Sequence, residues 1–168
     1  MELNGAVDEA QAALGMARAE VPTGSDLDRL LTRVERELYV LMAEIATAPA
    51  NRSKLVEGTT LVSDGMVTGL EREIDGLLGR FEMPADFVVP GANRASAALD
   101  LARTVVRRAE RRYVAAAVEG SRAGRYLNRL SDLLWAMARA AEGDEHLLAR
   151  AAGGVAGPQG AAPAGGPS

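Results

Sequence analysis

The residues best equipped for chemistry fall in one short stretch, Arg103, Arg107, Arg108, Arg111 and Arg112, with Glu110 among them. At about 100° per helical residue, Arg107 lies about 40° from Arg103 and Glu110 about 20° to the other side. These three form one stripe, while Arg108 and Arg112 point toward the opposite face. Two chemistries are open to such a cluster. One is a solvated arginine face with i,i+3 and i,i+4 pairs to Glu110. The other is a polyanion site: guanidinium groups bind phosphate oxygens in pairs and stay charged when partly buried. In an acidic chain such a local concentration focuses anions, and a nucleoside triphosphate is the natural candidate. Further on, Asn128 and Asp132 are four residues apart and share a helical face, with Ser131 beside them. Asn, Ser and Asp are poor residues for a helix interior. They either open a helix or form a polar patch opposite the arginine stripe.

Composition narrows the alternatives. The 168 residues suit one domain. There is no cysteine, which excludes disulfides, zinc-thiolate sites and cysteine nucleophiles. The single histidine, His146, cannot supply a His-rich metal site, and we assign it no role and the chain no metal site. The formal charge is −4, against a general binder of nucleic acid or anionic membrane. No apolar run approaches the roughly 18 residues that span a bilayer. The N-terminus lacks a basic flank and an apolar signal stretch, so a cytoplasmic location is expected. Hydrophobic residues make up 48% but aromatics only 4%, so the core must be built from Ala, Leu and Val, which favours helices.

Five helical segments carry these residues. The first is expected from about Ala6 to Glu20, ended by Pro22 and Gly24. The second is capped by Ser25 and runs on a Leu27, Leu30, Leu31, Val34, Leu38, Leu41 period toward Pro49. After a polar loop the third spans about Asp64 to Met83. It holds Gly65, Gly69, Gly76 and Gly79, which close helix–helix approach would explain. Pro84 to Asn93 is a loop containing Phe87-Val88-Val89-Pro90-Gly91. The fourth helix spans about Ala95 to Val118 and the fifth about Arg125 to Arg150, with Gly120 and Gly124 at the turn between them. No alternating strand pattern occurs. The expectation is an all-α bundle over residues 1–152. The Gly/Ala/Pro run 153–168 is expected to be a disordered tail.

The chain resembles the cobalamin adenosyltransferases of the propanediol-utilisation type. The resemblance rests on Val7-Asp8-Glu9 with Ala13-Leu14-Gly15, on Leu38 to Thr47, on Leu70-Glu71 with Ile74-Asp75, on the Phe87 to Gly91 loop, and on two more specific stretches. Those two are Ala102-Arg103 through Arg107-Arg108-Ala109-Glu110-Arg111, and Leu127-Asn128-Arg129-Leu130-Ser131-Asp132. Their order and rough spacing agree over about residues 5–140. The resemblance implies a five-helix up-and-down bundle of ferritin-like type, assembled as a homotrimer with sites between subunits. It implies transfer of the 5′-deoxyadenosyl group from ATP to cob(I)alamin, with Mg²⁺ accompanying ATP. The cofactor-derived nucleophile carries the hard chemistry, so the protein has to orient the reactants and stabilise the leaving triphosphate.

By the same resemblance, Arg103, Arg107, Glu110 and Asn128 bind ATP, with Arg107 assisting departure of triphosphate. Phe87 fills the lower axial face of the corrin, Asp132 lies on the cobalamin side, and Asp8 pairs with Arg103 across a subunit boundary. An adenosylcobalamin-dependent mutase and a cobalamin reductase are the implied partners. The chain also departs from the family pattern: a usual histidine is Asp100, Asp-Glu-Leu-Asn is Asp8-Glu9-Ala10-Gln11, and the glycine after the loop's Pro-Gly is Ala92. The family's Thr-Arg-Thr-Gly-Asp-x-Gly-x-Thr phosphate loop precedes the first helix, and the chain opens at that helix. The loop is then expected either upstream of Met1 or lost. Three readings follow: an active transferase, a family member that binds cobalamin or nucleotide without transfer, and a helical interaction protein with a solvated arginine face.

Overall fold

The computed structural model describes residues 2–116, 120–143 and 147–149. Helix α1 spans Glu2–Ala19, α2 Asp26–Ala46, α3 Asp64–Leu78, α4 Arg94–Ala115 and α5 Ala123–Glu142, with a short 3-10 helix at Pro49–Lys54. Among the described residues there is no strand, only isolated bridges at Glu57–Leu61 and Val88–Leu148. Among the described residues no helix is long and apolar enough to cross a membrane. The all-helical expectation holds.

Local chemistry sets most of the boundaries. Ser25 accepts from the Asp28 backbone N–H and Ser63 from that of Met66, each removing an orphan donor from a first turn. Asn93 and Ser96 form a reciprocal capping box that starts α4. Three helices end earlier than their periodicity suggests, the fourth at Ala115 rather than Val118. The third stops at Leu78 rather than Met83, where Gly79 and Arg80 donate back to the last carbonyls as a closing turn ahead of Pro84. The fifth stops at Glu142, because Gly143 takes φ +61° and turns the chain. The expected tail, 153–168, lies outside the described residues, as do His146 and the stretch 117–119.

The α3 glycines are not sites of close helix approach. An added Cβ would meet nothing within 4 Å at Gly76 and only the Arg33 guanidinium at 3.9 Å at Gly69; at Gly65 and Gly79 it would meet only atoms of the local chain. The tight contact is at Gly124, where a Cβ would stand 2.8 Å from the Tyr113 ring. That contact lets α5 fold back closely on α4.

Helix α4 packs on both α1 and α5, α3 packs on α5, and α2 packs on α1. Their shared core is aliphatic, with Val7, Leu14, Leu31, Leu38, Leu99, Val106, Leu127, Leu130 and Leu134 fully buried. Helices α4 and α5 run antiparallel in a defined register. Glu110 meets Asn128 and Asp100 meets Arg139, so ten residues along one helix match eleven along the other.

Candidate functional site

The arginine helix divides its cations between two neighbours. Arg108 forms an ion pair with Glu9, and Arg112 donates to the Glu2 carbonyl at 3.4 Å, so both face α1. Arg103 and Arg107 turn the other way. Arg107 Nη1 donates to Glu110 Oε2 at 2.7 Å, and Asn128 Nδ2 donates to Glu110 Oε1 at 2.8 Å. Glu110 is thus held between α4 and α5. Arg129 Nη2 donates to Asn128 Oδ1 at 2.8 Å and pairs with Asp132 at 2.8 Å. Ser131 donates to the Asn128 carbonyl, which satisfies its hydroxyl within the helix. Arg107, Glu110, Asn128, Arg129 and Asp132 therefore form one continuous polar chain. Of the two arrangements open to the Asn128 patch, the helix packing brings Asn128 against Glu110 of the arginine stripe.

One turn toward the start of α4, Arg103 Nε donates to Asp100 Oδ1 at 3.3 Å. Its two Nη groups have no partner among the described residues. Arg103 borders a cleft of about 610 Å³ whose other walls include Phe87, Val88, Pro90, Trp135, Asp100 and Arg139. Phe87 stands at this cleft with 83% of its surface exposed. An apolar ring left that open on a rim contributes little to folding and much to whatever enters the cleft. The Phe87 loop is fixed at two points by the segment that follows α5: Val89 N–H donates to the Leu147 carbonyl, and Ala149 N–H to the Phe87 carbonyl, both at 2.7 Å. At the cleft's back, the Trp135 ring lies 6.4 Å from Phe81 and 5.8 Å from the Arg139 guanidinium.

Two sequence expectations are placed apart from this cleft. Asp132 does not line it and instead pairs with Arg129 one turn earlier on α5. Asp8 is exposed on α1, with no hydrogen bond or ion pair among the described residues, and Arg103 does not reach it within the chain.

Two residues of the cleft wall, Asp100 and Arg139, and Glu142 behind Arg139 escaped the sequence reading as site residues. Asp100, Arg139 and Glu142 are buried, and Arg139 Nη2 donates to Asp100 Oδ2 at 2.6 Å and to Glu142 Oε1 at 2.7 Å. The available signal was Arg139 itself, a lone cation after Leu133-Leu134-Trp135-Ala136-Met137-Ala138. A charge in so apolar a run has to find a buried partner.

The family model described as cobalamin adenosyltransferase matches residues 1–141. The corrinoid adenosyltransferase PduO of Salmonella typhimurium is 36% identical over 149 residues, covering 87% of this chain and 43% of that protein. The corrinoid adenosyltransferase of Mycobacterium tuberculosis is 34% identical over 152 residues, covering 87% and 77%. The chain thus spans less than half the length of the PduO relative and about three quarters of the mycobacterial one. Among solved structures, a variant PduO-type ATP:corrinoid adenosyltransferase from Lactobacillus reuteri, complexed with cobalamin and ATP, superposes with a TM-score of 0.72 at 26% identity. That match covers 83% of this chain and 76% of the other.

Proposed function

Given that the chain belongs to the cobalamin adenosyltransferase family, we propose that it transfers the 5′-deoxyadenosyl group of ATP to cob(I)alamin. The observation that carries this reading is the pairing of an anion-ready arginine face with an apolar-rimmed cleft, Arg103 belonging to both. In the reaction the Co(I) lone pair attacks the 5′ carbon, a Co–C bond forms and the C–O bond breaks. Triphosphate leaves with the bonding electrons. No protein nucleophile or proton transfer is required, which matches a chain without cysteine.

What the protein supplies is position and charge. Arg103 and Arg107 present guanidinium edges on one side of α4 and stabilise negative charge as it grows on the leaving triphosphate. Glu110 and Asn128 hold Arg107 and Arg129 at the α4–α5 seam, so the cations need not reorganise when charge develops. Phe87 covers the lower face of the corrin and excludes an axial ligand, while Asp132 acts through Arg129, its ion-pair partner in the seam, and not by lining that cleft. Mg²⁺ enters as counter-ion of the triphosphate, whose oxygens are its natural ligands.

The reading includes assembly as a homotrimer in which Asp8 of one subunit pairs with Arg103 of the next. Exposed Asp8, the Nη groups of Arg103 with no partner among the described residues, and the exposed apolar side chains Met16, Leu101 and Val114 on α1 and α4 support it. It also includes a cytoplasmic setting, with a reductase supplying cob(I)alamin and a mutase receiving the product. The deciding experiment is anaerobic incubation of the full chain with ATP and cob(I)alamin, read by the visible spectrum of the light-sensitive Co–C product. Formation of adenosylcobalamin and triphosphate in equal amounts is expected. Binding of ATP and cob(II)alamin without product would leave a carrier, and binding of neither would leave an interaction protein. Sedimentation equilibrium tests the assembly, and a stable monomer at micromolar concentration would refute the shared site.

A further inference from the structure

We propose that Asp100 is a positioning residue that aims the Arg103 guanidinium into the Phe87 cleft while locking Arg139 in the wall behind it. The inference rests on the reading above only in taking Arg103 to meet the nucleotide.

Asp100 is 4% exposed and Arg139 2% exposed, so neither charge is solvated. Each carboxylate oxygen of Asp100 takes one guanidinium: Oδ1 accepts from Arg103 Nε and Oδ2 from Arg139 Nη2. Arg139 has a second acceptor in Glu142 Oε1, whereas Arg103 has no other partner among the described residues. Within one subunit, Arg139 is therefore fixed from two sides and Arg103 from one. Binding Arg103 through Nε leaves its two Nη groups clear of the carboxylate, and Arg103 borders the cleft. A carboxylate is needed for this arrangement, since both arginines donate and only a carboxylate places an acceptor oxygen, with no donor, on each side. An asparagine in its place satisfies one arginine and turns an N–H toward the other. Buried Arg139, held also by Glu142, keeps its partner, so Arg103, with a third of its side chain exposed, is the one released.

The test is a double-mutant cycle on ATP affinity with Asp100→Asn and Arg103→Ala, together with nitrogen-15 NMR of the arginine Nε–H groups in ligand-free protein. Asp100→Asn should weaken ATP binding about tenfold in the presence of Arg103 and less than twofold once Arg103 is alanine. A purely structural Asp100 would lower the melting temperature and give the same affinity loss in both backgrounds, which would overturn the proposal. The wild-type protein decides the matter without any variant. Arg103 Nε–H should exchange at least about tenfold more slowly than that of exposed Arg111, and equal exchange would overturn the proposal even if Asp100→Asn failed to fold. If the wild-type protein binds no ATP, the nucleotide reading falls, and slow Arg103 exchange in the same sample still shows that Asp100 holds the Arg103 guanidinium.

Discussion

Glu110 on α4 and Asn128 on α5 are joined by a 2.8 Å hydrogen bond, and the other Glu110 oxygen takes Arg107 at 2.7 Å. One carboxylate therefore organises both halves of the polar seam, and its removal would leave an arginine and an amide without their mutual reference.

Arg107→Ala should damage ATP binding far more than Arg112→Ala. Arg107 lies on the α5 side with Arg103, and Arg112 reaches the Glu2 carbonyl on the α1 side. Loss of a charge-assisted phosphate contact should cost about 1.5–3 kcal/mol, or roughly ten- to a hundredfold in affinity. Loss of an exposed arginine should stay within about 0.5 kcal/mol. ATP titrations of both variants at fixed ionic strength provide the check, and equal small effects would return α4 to a solvated face.

Phe87→Ala should leave thermal stability nearly unchanged. The ring is 83% exposed, so its truncation removes little buried surface, unlike the roughly 3–5 kcal/mol lost for a core phenylalanine. Adenosylation starting from cob(II)alamin should slow, because reduction is easier when the lower axial position is blocked. A large fall in melting temperature would place Phe87 in the core instead.

Glu44→Gln should destabilise the bundle by about 1–3 kcal/mol. Glu44 is 1% exposed and accepts from the Val62 backbone N–H at 2.8 Å, from Arg52 at 3.1 Å and from Ser121. It ties the loop after α2 and the α4–α5 turn to one point, and an amide cannot accept from all three. Urea denaturation followed by circular dichroism measures the loss, and a change below about 0.5 kcal/mol would contradict it.

The Glu37–Tyr126 pair should give a pH signature. Burial raises the Glu37 carboxyl above its ordinary value of 4.5, opposed by the Tyr126 hydroxyl, which donates to it at 2.8 Å, and by Arg33. A raised carboxyl binds its proton more tightly in the folded state, so its stabilising contribution is fully present below about 4.5 and is lost as pH rises through the folded value. The stability of the wild-type chain relative to Glu37→Gln should therefore fall between pH 4 and pH 7. Denaturation at the two pH values measures it, and a difference that grows with pH would refute the assignment.

Much of the fold was legible in the chain because its determinants are local. Ser25, Ser63 and Asn93 cap their helices by bonds within three residues, and the α2 period Leu27 to Leu41 names the buried face without knowledge of its neighbour. The Arg103–Arg107–Glu110 stripe is likewise a property of one helix. The ends of α3 and α5 were less legible, since apolar periodicity ran on past the glycine turns at 79 and 143 that stop them. Tertiary structure alone decided which partners the charges would find. Nothing within α4 reveals that Asp100 is buried against Arg139, and nothing within α2 reveals that Glu44 receives Val62 and Ser121. Burial of a charge is fixed by the helix packed against it, and the α4–α5 register that sets those pairs arises from the close approach of Gly124 to Tyr113 and the packing of two aliphatic faces.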